Sequence, residues 1–250
     1  MDDSLRAANA RQFDRSGYVS GYQRGDVRHL VRIRETVDVL LRHLPAGPGR
    51  RERPLVLDVG SGGGITARAL LDRGIDVIAG DIVTGGLQTA DPRAALLQFD
   101  ASRPFPIADG ALDGIVAGDV IHMLFDPVAF LRECRRVLRP GGILVVTTLN
   151  LAGAQDRLRF LVGQPPYQID PFNDVLKLHI RPFTARGLAR AFEAAGLRSV
   201  ALRSNHWVLR VRRRRLLLRW PARRWPALGF ALVMRGVPAE GTCQALPGRR

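Results

Sequence analysis

Residues Val56 to Gly64 read V-L-D-V-G-S-G-G-G, an apolar run with one acid that continues into four glycines. The apolar run has the length of a buried parallel strand, and Ile65 to Leu71 continues with helical spacing. The glycines are therefore expected on a strand-to-helix turn, where missing side chains expose the N–H groups of the helix start. This pattern predicts a site for a nucleotide-like cofactor.

The spacing of the glycines argues against a dinucleotide site of the nicotinamide dehydrogenase type. Such a loop normally reads G-x-G-x-x-G, and Ile65 stands where the third glycine would fall. The observed order is acid-x-G-x-G-x-G, beginning at Asp58. A carboxylate at this turn suits a ligand with cationic groups, such as an ammonium beside a sulfonium, while free N–H groups of the loop can receive the ligand's own carboxylate.

Two further acids follow predicted strands. Asp81 comes after the second strand, and an acid about 20 residues beyond a glycine loop is where a ribose diol is held. Asp100 follows the third strand, Ala95 to Phe99. Three acids thus meet at the carboxyl edge of a parallel sheet, where ligands bind. The alternatives are that Asp58 only orders its loop through backbone N–H groups and that Asp100 only caps a turn.

These segments resemble, in the same order, the class I S-adenosylmethionine-dependent methyltransferases. The likeness extends from about Arg53 to Val200, and the fold that it implies is α/β, a Rossmann-like, doubly wound, mainly parallel sheet of seven strands whose last strand is antiparallel. The matching segments are D-V-G-S-G-G-G, Gly80-Asp81, Phe99-Asp100-Ala101, F-P-I-A-D-G-A-L-D-G-I-V from Phe105, and R-V-L-R-P-G-G-I-L-V-V from Arg136.

The resemblance also implies which residues hold S-adenosylmethionine. One group surrounds the methionine part, another holds the ribose and the adenine, and a glycine after the fourth strand lies beneath the methionine part. In chain order the residues are Asp58, Gly60, Ser61 and Gly62 for methionine, Asp81 for ribose, Ile82, Asp100 and Ala101 for adenine, and Gly118 beneath methionine.

The function that follows from the resemblance is methyl transfer to oxygen, nitrogen or carbon of a small-molecule or lipid-like acceptor. A base is needed only when the acceptor carries a proton at neutral pH. His122, just past the fourth strand, and His179 are the candidates. The alternatives are a structural hydrogen bond for His122 and an exposed or capping imidazole for His179; in many similar enzymes the histidine of this turn falls one residue later, at Met123.

The chain is expected to form one catalytic core with additions. Residues 1–52 are predicted to cap the cofactor site with a helix and an arm that carries Tyr18 and Tyr22, although these tyrosines could instead pin the arm to the core. The core occupies residues 53–250. Residues of about 150–182 are expected to form a substrate-side insert. H-I-R-P-F-T from His179 and A-F-E-A-A-G-L from Ala191 resemble the segment after the fifth strand in small-molecule methyltransferases, including MetW-type and quinone-ring O-methyltransferases.

A second insertion, at about 207–226, is basic. The net charge is +15, and Leu209 to Arg224 contains eight arginines and Trp220. Three interpretations are open: a solvated loop, an interfacial helix that contacts an anionic membrane through Arg210 to Arg224, or, less favoured, a nucleic-acid contact. Pro221 would break such a helix into short pieces. A non-catalytic module of the same fold, binding membrane or nucleic acid through this insertion, is the alternative function.

Other features exclude several classes of protein. Cys134 and Cys243 lie far apart without metal-ligand spacing, so neither a metal site nor a disulfide framework is expected. No apolar stretch reaches the roughly 18 residues of a membrane span, and the start M-D-D-S-L-R lacks a signal peptide. A cytoplasmic protein, at most peripheral to a membrane, is expected. The acceptor and the oligomeric state are not determined by these patterns.

Overall fold

The computed structural model describes residues 27–44, 52–169, 179–211 and 214–239. Its strands are β1 (Leu55–Val59), β2 (Asp76–Asp81), β3 (Ala95–Gln98), β4 (Leu112–Gly118), β5 (Leu138–Leu149), β6 (Leu197–Ser204), β7 (Trp207–Val211), β8 (Arg214–Leu218) and β9 (Ala231–Pro238). Its helices are α1 (Val27–Leu41), α2 (Ile65–Leu71), α3 (Thr84–Leu87), α4 (Pro127–Val137), α5 (Ala154–Leu161), α6 (Ala185–Ala194) and α7 (Arg219–Arg224).

Within the described residues, seven strands form one sheet in the order β3-β2-β1-β4-β5-β9-β6. The pairs β1–β2, β2–β3, β1–β4 and β4–β5 are parallel, whereas β9 is antiparallel to both β5 and β6. The predicted doubly wound, mainly parallel sheet with an antiparallel last strand is confirmed. Because β9 runs against both of its neighbours, β5 and β6 end at the same edge of the sheet as β1, β2 and β4.

Side chains of the central strands are buried alternately on the two faces of the sheet. Val56 packs with α1 and α2 on one face, and Leu57 packs with α4 and α6 on the other; both are fully buried. Such burial stabilises the fold by about 1.5–3 kcal/mol for each large aliphatic side chain. Apolar side chains on both faces are what a parallel sheet covered by helices requires, and they explain the continuous apolar runs in the sequence.

Local signals set the ends of two helices that flank the site. At the start of α4, Asp126 accepts a hydrogen bond from the N–H of Ala129 (2.8 Å), and Pro127 occupies the first turn. At the start of α6, Thr184 accepts one from the N–H of Gly187 (3.0 Å). After α6, Gly196 adopts a left-handed conformation with φ of 72°, which stops the helix.

The basic insertion is neither a continuous interfacial helix nor an unstructured loop. β7 and β8 pair as an antiparallel hairpin, with Trp207 opposite Leu218, and the short helix α7 follows. Apolar and β-branched residues favour the extended strands, and Pro221 is tolerated because it lies in the first turn of α7. Pro226 follows the end of α7, since a proline disfavours helical conformation in the residue before it.

The excursion between β6 and β9 starts and ends at neighbouring points of the sheet. Ser204, the last residue of β6, is paired with Leu232 of β9. The side-chain amide of Asn150 donates to the carbonyl oxygens of Ala227 (2.9 Å) and Gly229 (2.8 Å), which fastens the returning chain to the end of β5. The insertion therefore has a fixed base beside the carboxyl edge.

Some predicted features lie outside the described residues, namely Tyr18 and Tyr22 of the arm and residues 170–178 of the substrate-side insert. Among the helices that the structure does describe, none has the length and apolar content needed to cross a membrane.

Candidate functional site

A cavity opens at the carboxyl edge of the sheet, between the ends of β1, β2 and β4 and the start of α2. The structure brings all nine residues of the predicted cofactor set to its wall, although they come from four separate parts of the chain. These residues are Asp58, Gly60, Ser61, Gly62, Asp81, Ile82, Asp100, Ala101 and Gly118.

The glycine loop has a backbone that only glycine adopts readily. Gly60 and Gly62 have φ of 69° and 50°, in the left-handed region. A Cβ atom on Gly60 would lie 2.3 Å from Cγ2 of Val120, whereas one on Gly62 would have no heavy atom within 4 Å. Gly60 thus allows close packing beneath the loop, and Gly62 leaves open space above it for a ligand.

The expectation that free N–H groups of this loop receive a ligand carboxylate is wrong for most of the loop. Gly60 and Ser61 donate their N–H groups to the carbonyl oxygen of Gly80, at 2.8 and 3.1 Å. Gly62 donates to Oδ2 of Asp81 (2.8 Å). The sharp turn folds these donors back onto β2, so the protein itself satisfies them.

Asp58 is the most strongly perturbed acid of the cavity. It is 2% exposed, and burial, followed by the nearby charge of Asp81, raises its pKa to about 7. A hydrogen bond with the backbone of Ala67, at the start of α2, partly opposes this shift. Oδ2 of Asp58 is buried without a hydrogen-bond partner. The carboxyl group therefore orders the helix start and still has one oxygen that a cationic ligand group could satisfy.

Asp81 has a structural role that the sequence did not reveal. Besides Gly62, it accepts a hydrogen bond from the N–H of Val83 (2.9 Å) through Oδ1. Its carboxylate thereby connects the glycine loop to the segment after β2. Each carboxylate oxygen has a second lone pair, so these bonds leave acceptor capacity for the two hydroxyl groups of a ribose.

Asp100 caps the turn that follows it, as the alternative interpretation predicted. Its Oδ1 accepts from both the backbone N–H (2.9 Å) and the hydroxyl (2.7 Å) of Ser102, and Arg103 lies 3.7 Å from Oδ2. The residue nevertheless lines the cavity. Turn capping and a place in the cavity wall thus coexist at this position.

A buried ion pair at the end of β4 was missed by sequence reasoning. Nε of Arg32, in α1, lies 3.2 Å from Oδ2 of Asp119, and its Nη1 donates to Oγ1 of Thr147 (2.9 Å). Arg32 and Asp119 both line the cavity. A Cβ atom on Gly118 would lie 3.2 Å from Nη1 of Arg32, so the glycine makes room for the guanidinium. Asp119 has a φ of 58°, an uncommon conformation for a residue with a side chain.

The two candidate histidines form a pair. Their ring centroids are 3.9 Å apart, and Nδ1 of His122 lies 2.9 Å from Oγ1 of Thr148. Burial lowers the pKa of His122 to about 3, with the neighbouring His179 adding to the shift, and burial also lowers the pKa of His179. Both rings are therefore neutral near pH 7.

The surroundings of this pair decide between the alternatives for each ring. His122 makes the expected structural contact with Thr148, whereas an exposed imidazole is wrong for His179, which packs on His122 and is partly buried. Nε2 of His122 and Nδ1 of His179 are buried without hydrogen-bond partners. Neither histidine is among the residues that line the cavity, although Met123, the chain neighbour of His122, is one of them. The predicted proton acceptors are thus paired with each other and do not belong to the cavity wall.

The residues of the cavity fit the polar and cationic groups of S-adenosylmethionine. Oδ2 of Asp58 and Oγ of Ser61 are buried polar atoms without protein partners, and the space over Gly62 is open. By contrast, the described part of the chain contains no group of three or more His, Cys, Asp or Glu side chains that could hold a metal ion.

Comparison with known proteins agrees with this geometry. Residues 57–146 match the family described as a methyltransferase domain. Demethylmenaquinone methyltransferase of Beutenbergia cavernae is 39% identical over 120 residues, covering 47% of this chain and 46% of that protein. Ubiquinone biosynthesis O-methyltransferase of Caulobacter vibrioides is 37% identical over 102 residues, covering 38% and 40%. The chain thus spans less than half the length of these two curated relatives.

A solved structure shares the fold over most of its length. The 1,6-didemethyltoxoflavin-N1-methyltransferase of Burkholderia thailandensis, with bound 1,6-didemethyltoxoflavin and S-adenosylhomocysteine, superposes with a TM-score of 0.57 at 22% identity and covers 93% of this chain and 90% of that one. The family match, the curated relatives and the strand order together identify residues 57–146 as a class I S-adenosylmethionine-dependent methyltransferase domain, similar to the quinone-ring methyltransferases.

Proposed function

We propose that this protein transfers a methyl group from S-adenosylmethionine to a small molecule with a quinone-like aromatic ring. The observation that carries the proposal is the cavity, where nine residues chosen from the sequence meet around the orphaned oxygen of Asp58. The two curated relatives are named demethylmenaquinone methyltransferase and ubiquinone biosynthesis O-methyltransferase, which supports this class of acceptor. The non-catalytic alternative is less favoured, because it leaves this set of residues without a ligand.

Binding of the donor is assigned to the residues of the cavity wall. Asp58 and Ser61 would meet the methionine part, with Gly62 giving space for it, and Asp81 would accept the ribose hydroxyls. Arg32, beside Gly118, extends this set at the methionine end. When bound, the donor supplies an activated methyl group on a sulfonium sulfur, so the protein must mainly align three atoms in line, and such alignment can contribute about 7–11 kcal/mol.

For a hydroxyl acceptor, we assign proton removal to His179. Its neutral ring carries a nitrogen without a partner, and His122, held by Thr148, packs against it and fixes its position. The bound donor would supply the methyl group and leave with the electron pair of its carbon–sulfur bond, while His179 would accept the proton that the acceptor hydroxyl releases.

The experiment has two stages. Isothermal titration calorimetry with S-adenosylhomocysteine and with NAD first tests the donor site; we expect affinity for the former alone. Incubation with labelled methyl donor and a panel of demethylated quinone precursors, alongside a cell extract, then tests the acceptor. Label in a quinone precursor supports the proposal. Binding without transfer to any quinone precursor would refute the acceptor class, and no binding would refute the function as a whole.

A further inference from the structure

We propose that α5, the β7–β8 hairpin and α7 form a surface that binds an anionic lipid membrane. The inference goes beyond methyl transfer and does not depend on it. We call this region the α5–hairpin surface. It combines three properties, which are exposed apolar side chains, an excess of positive charge and a position at the same edge of the sheet as the cavity.

The first property is the exposure of large apolar side chains at the end of α5. Leu158, Phe160, Leu161 and Val162 are exposed to 63%, 71%, 81% and 65% of their area. Single apolar residues on a surface are ordinary, but four within five positions form a patch that indicates an interaction site. Such side chains can enter the boundary between lipid headgroups and acyl chains.

A second set of apolar side chains lies on the neighbouring elements. Trp220 of α7 is 71% exposed, and Trp225 is 45% exposed. The rings of Trp225 and Trp207 have centroids 6.1 Å apart, which joins α7 to the hairpin, and both α5 and α7 pack against β7. Tryptophan is the residue type that membrane interfaces favour, because its ring is apolar and its N–H is polar.

The second property is a charge of one sign. From Trp207 to Trp225, which covers the hairpin and α7, the sequence contains eight arginines and neither Asp nor Glu. In α5 the single acid, Asp156, is buried, and it accepts a hydrogen bond from the N–H of Tyr167 (2.8 Å). Glu35 of α1 approaches this region and pairs with Arg219 at 3.1 Å. Of the described acids near this surface, Asp156 is thus buried and Glu35 is paired, and the remaining arginine charge complements anionic headgroups.

The third property is the position of the surface. α5 follows β5, and the hairpin follows β6; these strands end at the same edge as β1, β2 and β4, where the cavity lies. A membrane bound to this surface would therefore lie at the same edge of the sheet as the cavity.

Nucleic acid is the other anionic partner that such arginines could bind. Recognition of a phosphate backbone requires positive charge, and single strands add stacking on aromatic rings. Neither mode uses exposed aliphatic side chains such as Leu158, Leu161 and Val162. The aliphatic end of α5 therefore favours a lipid bilayer.

The test is co-sedimentation of the full chain with vesicles of phosphatidylcholine alone and with vesicles that also contain phosphatidylglycerol, which supplies the anionic headgroups. We expect pelleting with anionic vesicles that decreases as salt is raised. Phe160→Ser with Leu161→Ser, and separately Arg223→Gln with Arg224→Gln, should each reduce partitioning by at least about tenfold. S-adenosylhomocysteine affinity and the unfolding midpoint serve as folding controls.

Matched controls come from the far side of the sheet. Leu96 on the edge strand β3 is 53% exposed, and Arg73 after α2 is exposed. Leu96→Ser and Arg73→Gln should leave vesicle binding unchanged. Any of three results would overturn the proposal. They are equal vesicle binding by all variants, equal binding to neutral and anionic vesicles, and binding to a single-stranded oligonucleotide without binding to vesicles.

Discussion

Arg32 of α1 and Asp119 at the end of β4 form a buried ion pair, with Nε and Oδ2 3.2 Å apart and side chains that are only 8% and 13% exposed. The pair joins a helix that precedes the sheet in sequence to the edge where the cavity opens. Thr147 of β5 completes the contact through its hydroxyl group.

Removal of the Arg32 guanidinium should lower the stability of the folded protein. We expect Arg32→Met to reduce the free energy of unfolding by about 3–5 kcal/mol, because Asp119 would keep a buried charge without its partner. Urea unfolding measures the loss. Arg53→Met is the matched control, since Arg53 pairs with Asp76 at 3.4 Å on the exposed surface and should contribute about 0–1 kcal/mol. Similar losses in the two variants would contradict the importance of burial.

Asp58 should make ligand binding depend on pH. A cationic ligand group favours the charged carboxylate, so binding S-adenosylmethionine should lower the pKa of Asp58 from about 7 and release a proton below that pH. Calorimetry at pH 6 in two buffers of different ionisation enthalpy detects this release. Asp58→Asn should abolish it and weaken binding, whereas Asp76→Asn on the exposed start of β2 should do neither. Proton release that persists in Asp58→Asn would assign it to another group.

The same carboxyl group should influence stability. Its folded pKa is raised, so the folded state holds the proton more tightly than the unfolded state between about pH 4 and pH 7. Stability from this group is therefore lost as pH rises through that window. His122, whose folded pKa is lowered to about 3, acts in the opposite direction: its contribution falls as pH decreases from about 6.5 to 3. Urea unfolding across this range should differ in slope between wild type and Asp58→Asn.

A methyl group on Gly60 should damage the site, whereas one on Gly74 should not. Both glycines have positive φ, but the added Cβ meets Val120 at 2.3 Å only in Gly60→Ala and has no heavy atom within 4 Å in Gly74→Ala. The second variant measures the backbone cost alone, about 1–2 kcal/mol. We expect Gly60→Ala to exceed it in urea unfolding and to weaken S-adenosylhomocysteine binding. Equal effects would show that packing beneath the loop is unimportant.

Removal of the imidazole of His179 should slow methyl transfer to a hydroxyl acceptor. We expect His179→Gln to lower kcat by about 10²–10⁴ with little change in donor affinity, because a positioned base contributes at the chemical step. Burial lowers the pKa of His179, so the acidic limb of the rate profile should lie below pH 6.5. His43→Gln, at an exposed position in the turn after α1, is the control. Unchanged turnover in His179→Gln would remove the residue from the mechanism.

The sequence predicted the parts of the site that depend on chain order. The carboxyl ends of the strands in a parallel sheet lie at one edge. Acids and glycines that follow successive strands can therefore be assigned to a common cavity from their order in the chain alone. Asp58, Asp81 and Asp100 all satisfy this rule. The antiparallel orientation of the last strand, β9, was predicted by the resemblance to the class I methyltransferases.

Features that depend on contacts between distant segments were not predicted. Helical periodicity assigns apolar residues to the core. Arg32 is a charged residue on the buried side of α1, and its ion-pair partner, Asp119, is 87 positions away in the chain. The N–H groups of the glycine loop were expected to be free. Two of them instead donate to the carbonyl oxygen of Gly80, a tertiary contact that the local sequence does not indicate. The hairpin was missed because a run of arginines conceals the alternation that marks a strand.

The pairing of Ser204 with Leu232 makes the basic excursion a separable module. Because the end of β6 lies beside the start of β9, a tight turn could replace the residues between Ser204 and Leu232. The hydrogen bonds between β6 and β9 would remain. Mutations can therefore lengthen, shorten or change the charge of this insertion while the strands that carry the cavity keep their pairing.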